Sequence, residues 1–270
     1  MLKTTSADEP LDAWRARVEI LRAAASAGLA PTFVKADESG RTVITEYVAP
    51  HPLFPRLAAP ATRAATLTQL GATVRRLHAL PIPPDATTRD AHAFLAETWA
   101  SLSDFPVPAW AIDTVRAVLD HPLPPSDQSP VLSHNDLNPT NLLDAGDRVL
   151  FVDWDSAGPN EPLHDLATLS LFFRLDDADT AHLLSAYDGA PLTTLPERFL
   201  RVRQRIAALC GVLFLQLARR GGHPGALEAV LTGPPDARTP EGQFRYGLTL
   251  INAASTTSRR PSRGRSSLLP

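Results

Sequence analysis

Cysteine is almost missing from this chain. Cys210 is the single one in 270 residues, which excludes an intramolecular disulfide framework and fits a reducing compartment. It falls in the apolar run Ile206 to Leu217 and reads as a buried core thiol. Excess charge of one sign is lacking too. A formal net charge of −3 and a pI near 6.2 create no field that would draw nucleic acid or an anionic membrane. No apolar run is long enough to cross a bilayer, and the N-terminus lacks the layout of a secretory signal, so the expectation is cytoplasmic. No internal repeat is visible. What remains is ordinary for a globular protein: 44% hydrophobic and 20% charged residues, in a chain long enough for one large domain or a two-lobed fold. Proline is plentiful at 26 residues, and clusters such as Pro50-His51-Pro52 and Pro122-Leu123-Pro124-Pro125 break the chain into helices.

The informative stretch runs from Val131 to Asp165. Two short apolar runs, Val131-Leu132 and Val149 to Val152, read as strands. Each delivers polar residues at its C-terminal end: His134, Asn135 and Asp136 after the first, Asp153 and Asp155 after the second. Turn chemistry at Asp144-Ala145-Gly146-Asp147 predicts that the two runs fold back on each other. Asp136, Asn141 and Asp153 then converge. Three oxygen-bearing side chains suit a hard divalent cation and an acceptor hydroxyl, the needs of phosphoryl transfer. Plainer readings stand beside this one: Asp136 as a cap and Asn141 as a turn residue. Asp153, ending an apolar strand, is costly to bury without a cation or a donor.

His134-x-Asp136-x-x-x-x-Asn141, followed twelve residues later by Asp153, resembles the signature of the aminoglycoside phosphotransferase and choline kinase superfamily. The forms H-N-D-L-x-x-x-N and V-D-W-D-x-A-G-P-N are most similar to its choline, ethanolamine and thiamine kinase-like branch. The resemblance implies an α+β, protein-kinase-like two-lobed fold. Its small, incomplete α/β N-lobe would cover residues 1–48 and its larger, mainly helical C-lobe residues 49–253. Residues 254–270, basic and without apolar period, are left as a disordered tail. The implied reaction moves the γ-phosphoryl group of ATP to a hydroxyl of a small molecule, with Mg2+ as cofactor. Asp136 is the implied catalytic base, and His134, beside it in the catalytic loop, is expected to hydrogen-bond backbone around the loop without transferring a proton. Asn141 and Asp153 are the implied Mg2+ ligands, with Asp155 joining or supporting them. Lys3 is the implied contact to the nucleotide phosphates, and the backbone of Glu46, Tyr47 and Val48 the implied hinge for the adenine. Asp165, in His164-Asp165-Leu166-Ala167, is implied to brace the catalytic loop. Asp155, Asp177 and Trp154 favour a cationic amino-alcohol or aminoglycoside acceptor, through charge and cation–π contact. The implied partners are a nucleoside triphosphate and that acceptor, with no nucleic acid and no membrane, in a monomer or weak dimer.

In the resembled family the lysine is paired with a glutamate of the next helix. Counting back from Gly28 puts Arg17 in that slot, and Glu19, two positions on, faces about 200° away on an α-helix. Glu19 stands as the candidate partner beside its reading as a solvated charge. Only Met1 and Leu2 precede Lys3, and Gly28 and Gly40 are isolated, so a glycine-rich hairpin over the phosphates is not expected in this chain. The alternative function is therefore a kinase-like protein with weak or no activity. A metal-dependent hydrolase using His134, Asp136, Asp153 and His164 is a second alternative, and it requires imidazoles turned toward the aspartates.

Periodicity predicts the remaining elements. A helix spans Asp8 to Ala27, and a hairpin joins Thr32–Ala36 to Thr42–Val48 around Asp37-Glu38-Ser39-Gly40. Ala61 to Leu80 is amphipathic, with Leu67, Leu70, Val74, Leu77 and Leu80 on one stripe, and its His78 reads as structural. Further helices are expected over Ala91–Leu102, Trp110–Leu119, Leu163–Leu175, Asp179–Tyr187, Glu197–Arg220 and Gly242–Ala253.

Overall fold

A computed structural model describes every residue except 6–8, 50, 89, 229–230, 232–235 and 257–270. Most of the expected basic tail thus lies outside the described residues. Two compact units emerge: Met1–Arg89 with Pro124–Arg203, and Asp90–Leu123 with the described residues from Gln204 on. Among the described residues no helix is long and apolar enough to cross a membrane.

The first unit opens with a three-stranded antiparallel sheet. Strands β1 (Leu2–Thr4) and β2 (Phe33–Asp37) flank β3 (Thr42–Thr45). The β2–β3 turn closes at Arg41, whose φ of 46° lies in the left-handed region. β3 stops at Thr45, three residues short of the strand expected to reach Val48. Helix α1 (Leu11–Ser26) starts behind Pro10, whose ring presets the entry φ, and buries Trp14, Ala16, Val18, Ile20 and Ala24. Gly28 ends it at φ 68°, letting Leu29 N–H return to Ala24 O at 2.9 Å. Leu29 O then accepts from Phe151 N at 2.7 Å, tying this turn to the strand that runs into Asp153.

Helix α2 (Phe54–Ala58) leads into α3 (Pro60–His78), which buries Leu67, Leu70, Val74 and Leu77 on the stripe the sequence outlines. Leu80 falls beyond the helix end and is half-buried. Gly71 is where α3 meets the later helix α7 (Asp177–Asp188). A Cβ there would sit 2.7 Å from Leu183 O and 2.8 Å from Ala186 Cβ, so only glycine permits this approach. α7 begins two residues before the expected start because the Asp176 carboxylate caps it, accepting from Asp179 N at 2.8 Å.

Two short ladders form the rest of this unit, and here the structure corrects the sequence. The runs at Val131 and Val149 do not pair with each other. β4 (Val131–Ser133) pairs with β7 (Gly158–Asn160), and β5 (Leu142–Asp144) with β6 (Val149–Phe151). The Asp144–Asp147 turn closes the local β5–β6 hairpin, because Leu142-Leu143 offers an apolar strand much nearer in sequence than β4. Helix α6 (Leu163–Phe172) follows and stops ahead of Arg174, which has φ 51°.

The second unit holds α4 (Ala91–Ala100), capped by the Asp90 carboxylate at 2.6 Å from Ala93 N, and α5 (Ala109–Asp120). It also holds α8 (Glu197–Arg220) from Gln204 on, and α9 (Pro240–Thr256). Cys210 is half-buried, not sealed in the core as its apolar run suggests. α8 crosses α9 at Gly211 and Gly247: a Cβ on either would lie within 2.8 Å of the other's carbonyl oxygen. His223 stacks on Phe244 at 4.3 Å, donates from Nε2 to Glu241 and accepts from Gly225 N at Nδ1, so its ring serves as a pin.

Candidate active site

β4 ends at Ser133, and the chain turns through Asn135 at φ 64°, a conformation asparagine tolerates better than most residues. A buried carboxylate holds this turn. Asp165, in the first turn of α6, accepts from His134 N through Oδ2 and from Asn135 N through Oδ1, both at 2.9 Å. Behind it, His78 Nε2 donates to Asp165 Oδ2 at 3.1 Å, and His78 Nδ1 meets the Tyr187 hydroxyl at 2.9 Å. Burial pushes the Asp165 carboxyl upward, but the hydrogen bond and charge of His78 outweigh it and hold the group below the usual carboxylate range. Asn135 adds a lateral tie, donating to Ser156 O at 2.9 Å and accepting from Asn160 Nδ2 at 2.8 Å. The turn is therefore fixed from behind by α6, α3 and α7, and from the side by β7.

Asp136 projects from this frame half-buried. Its Oδ1 accepts from Asn138 Nδ2 and its Oδ2 from Asn141 Nδ2, each at 2.9 Å. Burial pushes its carboxyl above the ordinary value, and these two amides pull only part of the way back. Asn138 also caps the 3-10 turn Pro139–Asn141, accepting from Thr140 N at 2.9 Å. Asn141 ends that turn, gives a second Nδ2 bond to Asp136 O at 2.9 Å, and accepts from Val152 N at 2.9 Å through its own carbonyl. That last bond brings Asp153, one residue on, to the same place.

Asp153 follows β6 at φ 62° and ψ 66°, left-handed like Asn135. The Trp154 indole donates to Phe151 O at 3.0 Å, and its ring lies 4.8 Å from that of His134. His134 is fully buried, with Nε2 3.0 Å from Val152 O, and burial lowers its basicity. An imidazole so enclosed touches no reactant. Its ring bonds backbone beside the loop, as expected of it, and it hydrogen-bonds no aspartate with its ring as the hydrolase alternative requires. Among the described residues no three His, Cys, Asp or Glu side chains gather in a metal-holding group.

Lys3 reaches this centre from β1. Its Nζ lies 2.5 Å from Asp153 Oδ1 and 2.7 Å from Asp155 Oδ2. Burial lowers its pKa, and the two carboxylates more than reverse that, so the net shift is upward. Arg17, on α1, points Nε at Asp155 Oδ1 from 3.8 Å while its Nη2 binds Glu9 at 2.7 Å and Thr5 at 2.8 Å. Lys3, Arg17, Val43, Asp153 and Asp155 line one cavity with Trp154.

The structure joins Lys3 to Asp153 and Asp155 in this cavity and ties Asp136 to Asn141, and Asn141 to the strand leading into Asp153. Asp136 and Asn141, like Glu46, Tyr47 and Val48, are not among the residues lining the cavity. Glu46 accepts from the Thr32 hydroxyl at 2.6 Å, and Tyr47 is 70% exposed. Glu19 is not the partner of Lys3: it is exposed and lines a separate groove with Trp14 and Arg22. Sequence reasoning gave no role to Asn138, Asn160 and Tyr187. Asn138 had a readable signal in its place before Pro139 at the start of a turn, and Asn160 in closing the A-G-P-N end of the motif.

Residues 1–203 match the family described as the phosphotransferase enzyme family. A stretch of 54 residues is 43% identical to Protein LicA of Haemophilus influenzae, covering 20% of this chain and 20% of that curated relative. A choline/ethanolamine kinase family protein from Mesorhizobium loti superposes with a TM-score of 0.65 at 21% identity, over 95% of this chain and 85% of that one. A spectinomycin phosphotransferase, in complex with ADP and spectinomycin, superposes with a TM-score of 0.61 at 12% identity, over 95% and 84%. At such identities the likeness is one of fold, and it is the kinase-like α+β fold expected from the sequence.

Proposed function

Because the chain belongs to the phosphotransferase enzyme family, we propose that it transfers the γ-phosphoryl group of ATP to a hydroxyl of a small, cationic molecule. One observation carries this reading. A carboxylate raised by burial, Asp136, is hydrogen-bonded on both oxygens and shares its amide clamp, Asn141, with the strand end that presents Asp153. That gives one group to take a proton beside others suited to phosphate charge. Asp136 orients the acceptor hydroxyl and receives its proton, and its raised pKa makes it a better base than an ordinary carboxylate. Lys3, on the cavity wall, is in place to meet phosphate oxygens. Asp153 is half-exposed, and Asn141 has both Nδ2 hydrogens committed to Asp136, which leaves its Oδ1, met by the Thr140 hydroxyl at 3.5 Å, as its oxygen for a cation. These hard oxygens fit Mg2+. When bound, the ion neutralises charge on the phosphates. The structures named for choline, ethanolamine and spectinomycin support amino-alcohols and aminocyclitols as the acceptor class.

The test is ADP formation by the full chain with Mg-ATP against choline, ethanolamine, thiamine and a panel of aminoglycosides. One acceptor should raise turnover above the background rate. Asp136→Asn should cut that turnover by about two orders of magnitude or more, in the range for losing a general base, with ATP affinity little changed. The acid limb of the wild-type pH–rate profile should lie above the ordinary aspartate range, because activity needs the ionised form and burial raises that pKa. Full activity of the variant on the best acceptor would refute the assignment.

A further inference from the structure

The Asp153–Trp154–Asp155 loop sets two carboxylates side by side, and their oxygens are engaged differently. Asp153 gives Oδ1 to Lys3, and its Oδ2 has no hydrogen-bond partner among the described residues. Asp155 has Oδ2 on Lys3 at 2.7 Å and Oδ1 facing Arg17 Nε at 3.8 Å. Both oxygens of Asp155 are thus turned to cations of β1 and α1. No acid of α1 competes for them: Asp12 pairs with Arg15 at 3.3 Å, and Glu19 lies on a separate groove. Arg17 is 16% exposed at its side chain and anchored by Glu9 and Thr5, so it stays beside Asp155.

We propose that Asp155 is a positioning residue: it holds Lys3 in the cavity, with Arg17 bracing its second oxygen, and it is not a ligand of the divalent cation. The metal half of this assignment rests on the phosphotransferase reading, and the lysine half on the ion pairs alone. An ammonium shared between two carboxylates is not held by both once one of them is committed to a dication, because like charges then face each other. Asp155 keeps Lys3 within reach of the phosphates in that state. Asp153, with an oxygen open, is the one placed to change partners.

Lys3 and Lys35 are the only lysines in the chain, and Lys35 is exposed, so it serves as an internal reference. The full chain is labelled with limiting acetic anhydride, and Lys3 is compared with Lys35 by fragment-ion mass spectrometry. Asp155→Asn should raise the relative labelling of Lys3 by about twofold or more, since it removes one of the two carboxylates that hold the ammonium. In parallel, free Mn2+ is followed by its paramagnetic resonance during titration in the presence of ADP. Asp153→Asn should weaken Mn2+ binding by about tenfold or more, and Asp155→Asn by less than about threefold, the difference between losing a ligand and losing a nearby charge. Equal loss of Mn2+ in the two variants, or unchanged Lys3 labelling in Asp155→Asn, overturns the assignment. If the wild-type chain binds no Mn2+ with ADP, the phosphotransferase reading falls, and the labelling ratio alone decides whether Asp155 holds Lys3. Asp155→Glu, which keeps the charge, should restore protection of Lys3.

Discussion

Replacing Asp165 with asparagine perturbs the catalytic turn without touching a reacting group. The carboxylate is fully buried and accepts from His134 N, Asn135 N and His78 Nε2 at 2.9, 2.9 and 3.1 Å. An amide has one oxygen. Whichever way it is placed, its NH2 group faces one of the two backbone N–H groups, which then has no acceptor. One charge-assisted bond is lost, at about 1.5–3 kcal/mol, and one buried donor is stranded at about 1–3 kcal/mol. Relief from burying a charge offsets part of this, so a net loss of about 3 kcal/mol is expected. For a chain of this size that lowers Tm by about 6–12 °C. The pH dependence has a definite sign. The folded pKa of Asp165 is depressed, so its contribution is present above the unfolded aspartate pKa and is lost as pH falls through the folded value. The gap in Tm between wild type and Asp165→Asn should therefore be full near neutrality and shrink on acidification below about pH 4. Turnover should fall as well, because Asp136 sits on the turn that loosens. Differential scanning calorimetry from neutral to acid pH checks both size and sign. A Tm within a degree of wild type at neutral pH, or a gap that widens in acid, would show that Asp165 does not brace the loop by this mechanism.

Gly71→Ala forces a methyl to within 2.7 Å of a backbone oxygen of α7, so chemical denaturation should show a loss of about 1–3 kcal/mol. Tyr187 ionises only at about 12, pushed up by burial and then by Asp188 and Asp165. Ultraviolet titration should show one of the three tyrosines delayed to that range, and Tyr187→Phe should remove that step. The same variant gives up a hydroxyl on His78 and should lose about 1 kcal/mol of stability.

Much of the fold was legible because it rests on local chemistry. The stripe of α3, the stop at Gly28 and the helix over Glu197–Arg220 follow from apolar spacing and a glycine that takes positive φ. Strand pairing was not legible in the same way. β4 finds β7 far along the chain, Val131 opposite Asn160 and Ser133 opposite Gly158, and three-residue strands carry too few side chains to specify a partner. The tie between Asp136 and Asn141 was readable from spacing because one short segment holds them, whereas the pairing of the Val131 and Val149 runs expected to bring Asp153 there is not the one the chain makes. The partner of Lys3 was not readable. An ion pair between residues 3 and 155 depends on how β1 lies over the Asp153 turn, and the helix position that was searched for a carboxylate holds Arg17. His134 was readable as a tie to backbone, but its place in the Trp154 and Phe151 stack was not, because a histidine two residues before an aspartate looks the same in sequence whichever way its ring points.

The β5–β6 hairpin has a consequence for how this chain can vary. Asn141 enters it and Asp153 leaves it, so the two groups are joined by a closed loop of about a dozen residues whose entropy of closure is small. Their spacing is set inside that loop by the Asn141–Val152 hydrogen bond, with little dependence on distant segments. Such a unit forms early in folding, because its contacts are near in sequence. Lengthening or rebuilding helices elsewhere leaves the Asn141–Asp153 spacing unchanged. On the proposed function, substitutions that retune the acceptor can then accumulate while the pair proposed for Mg2+ keeps its spacing.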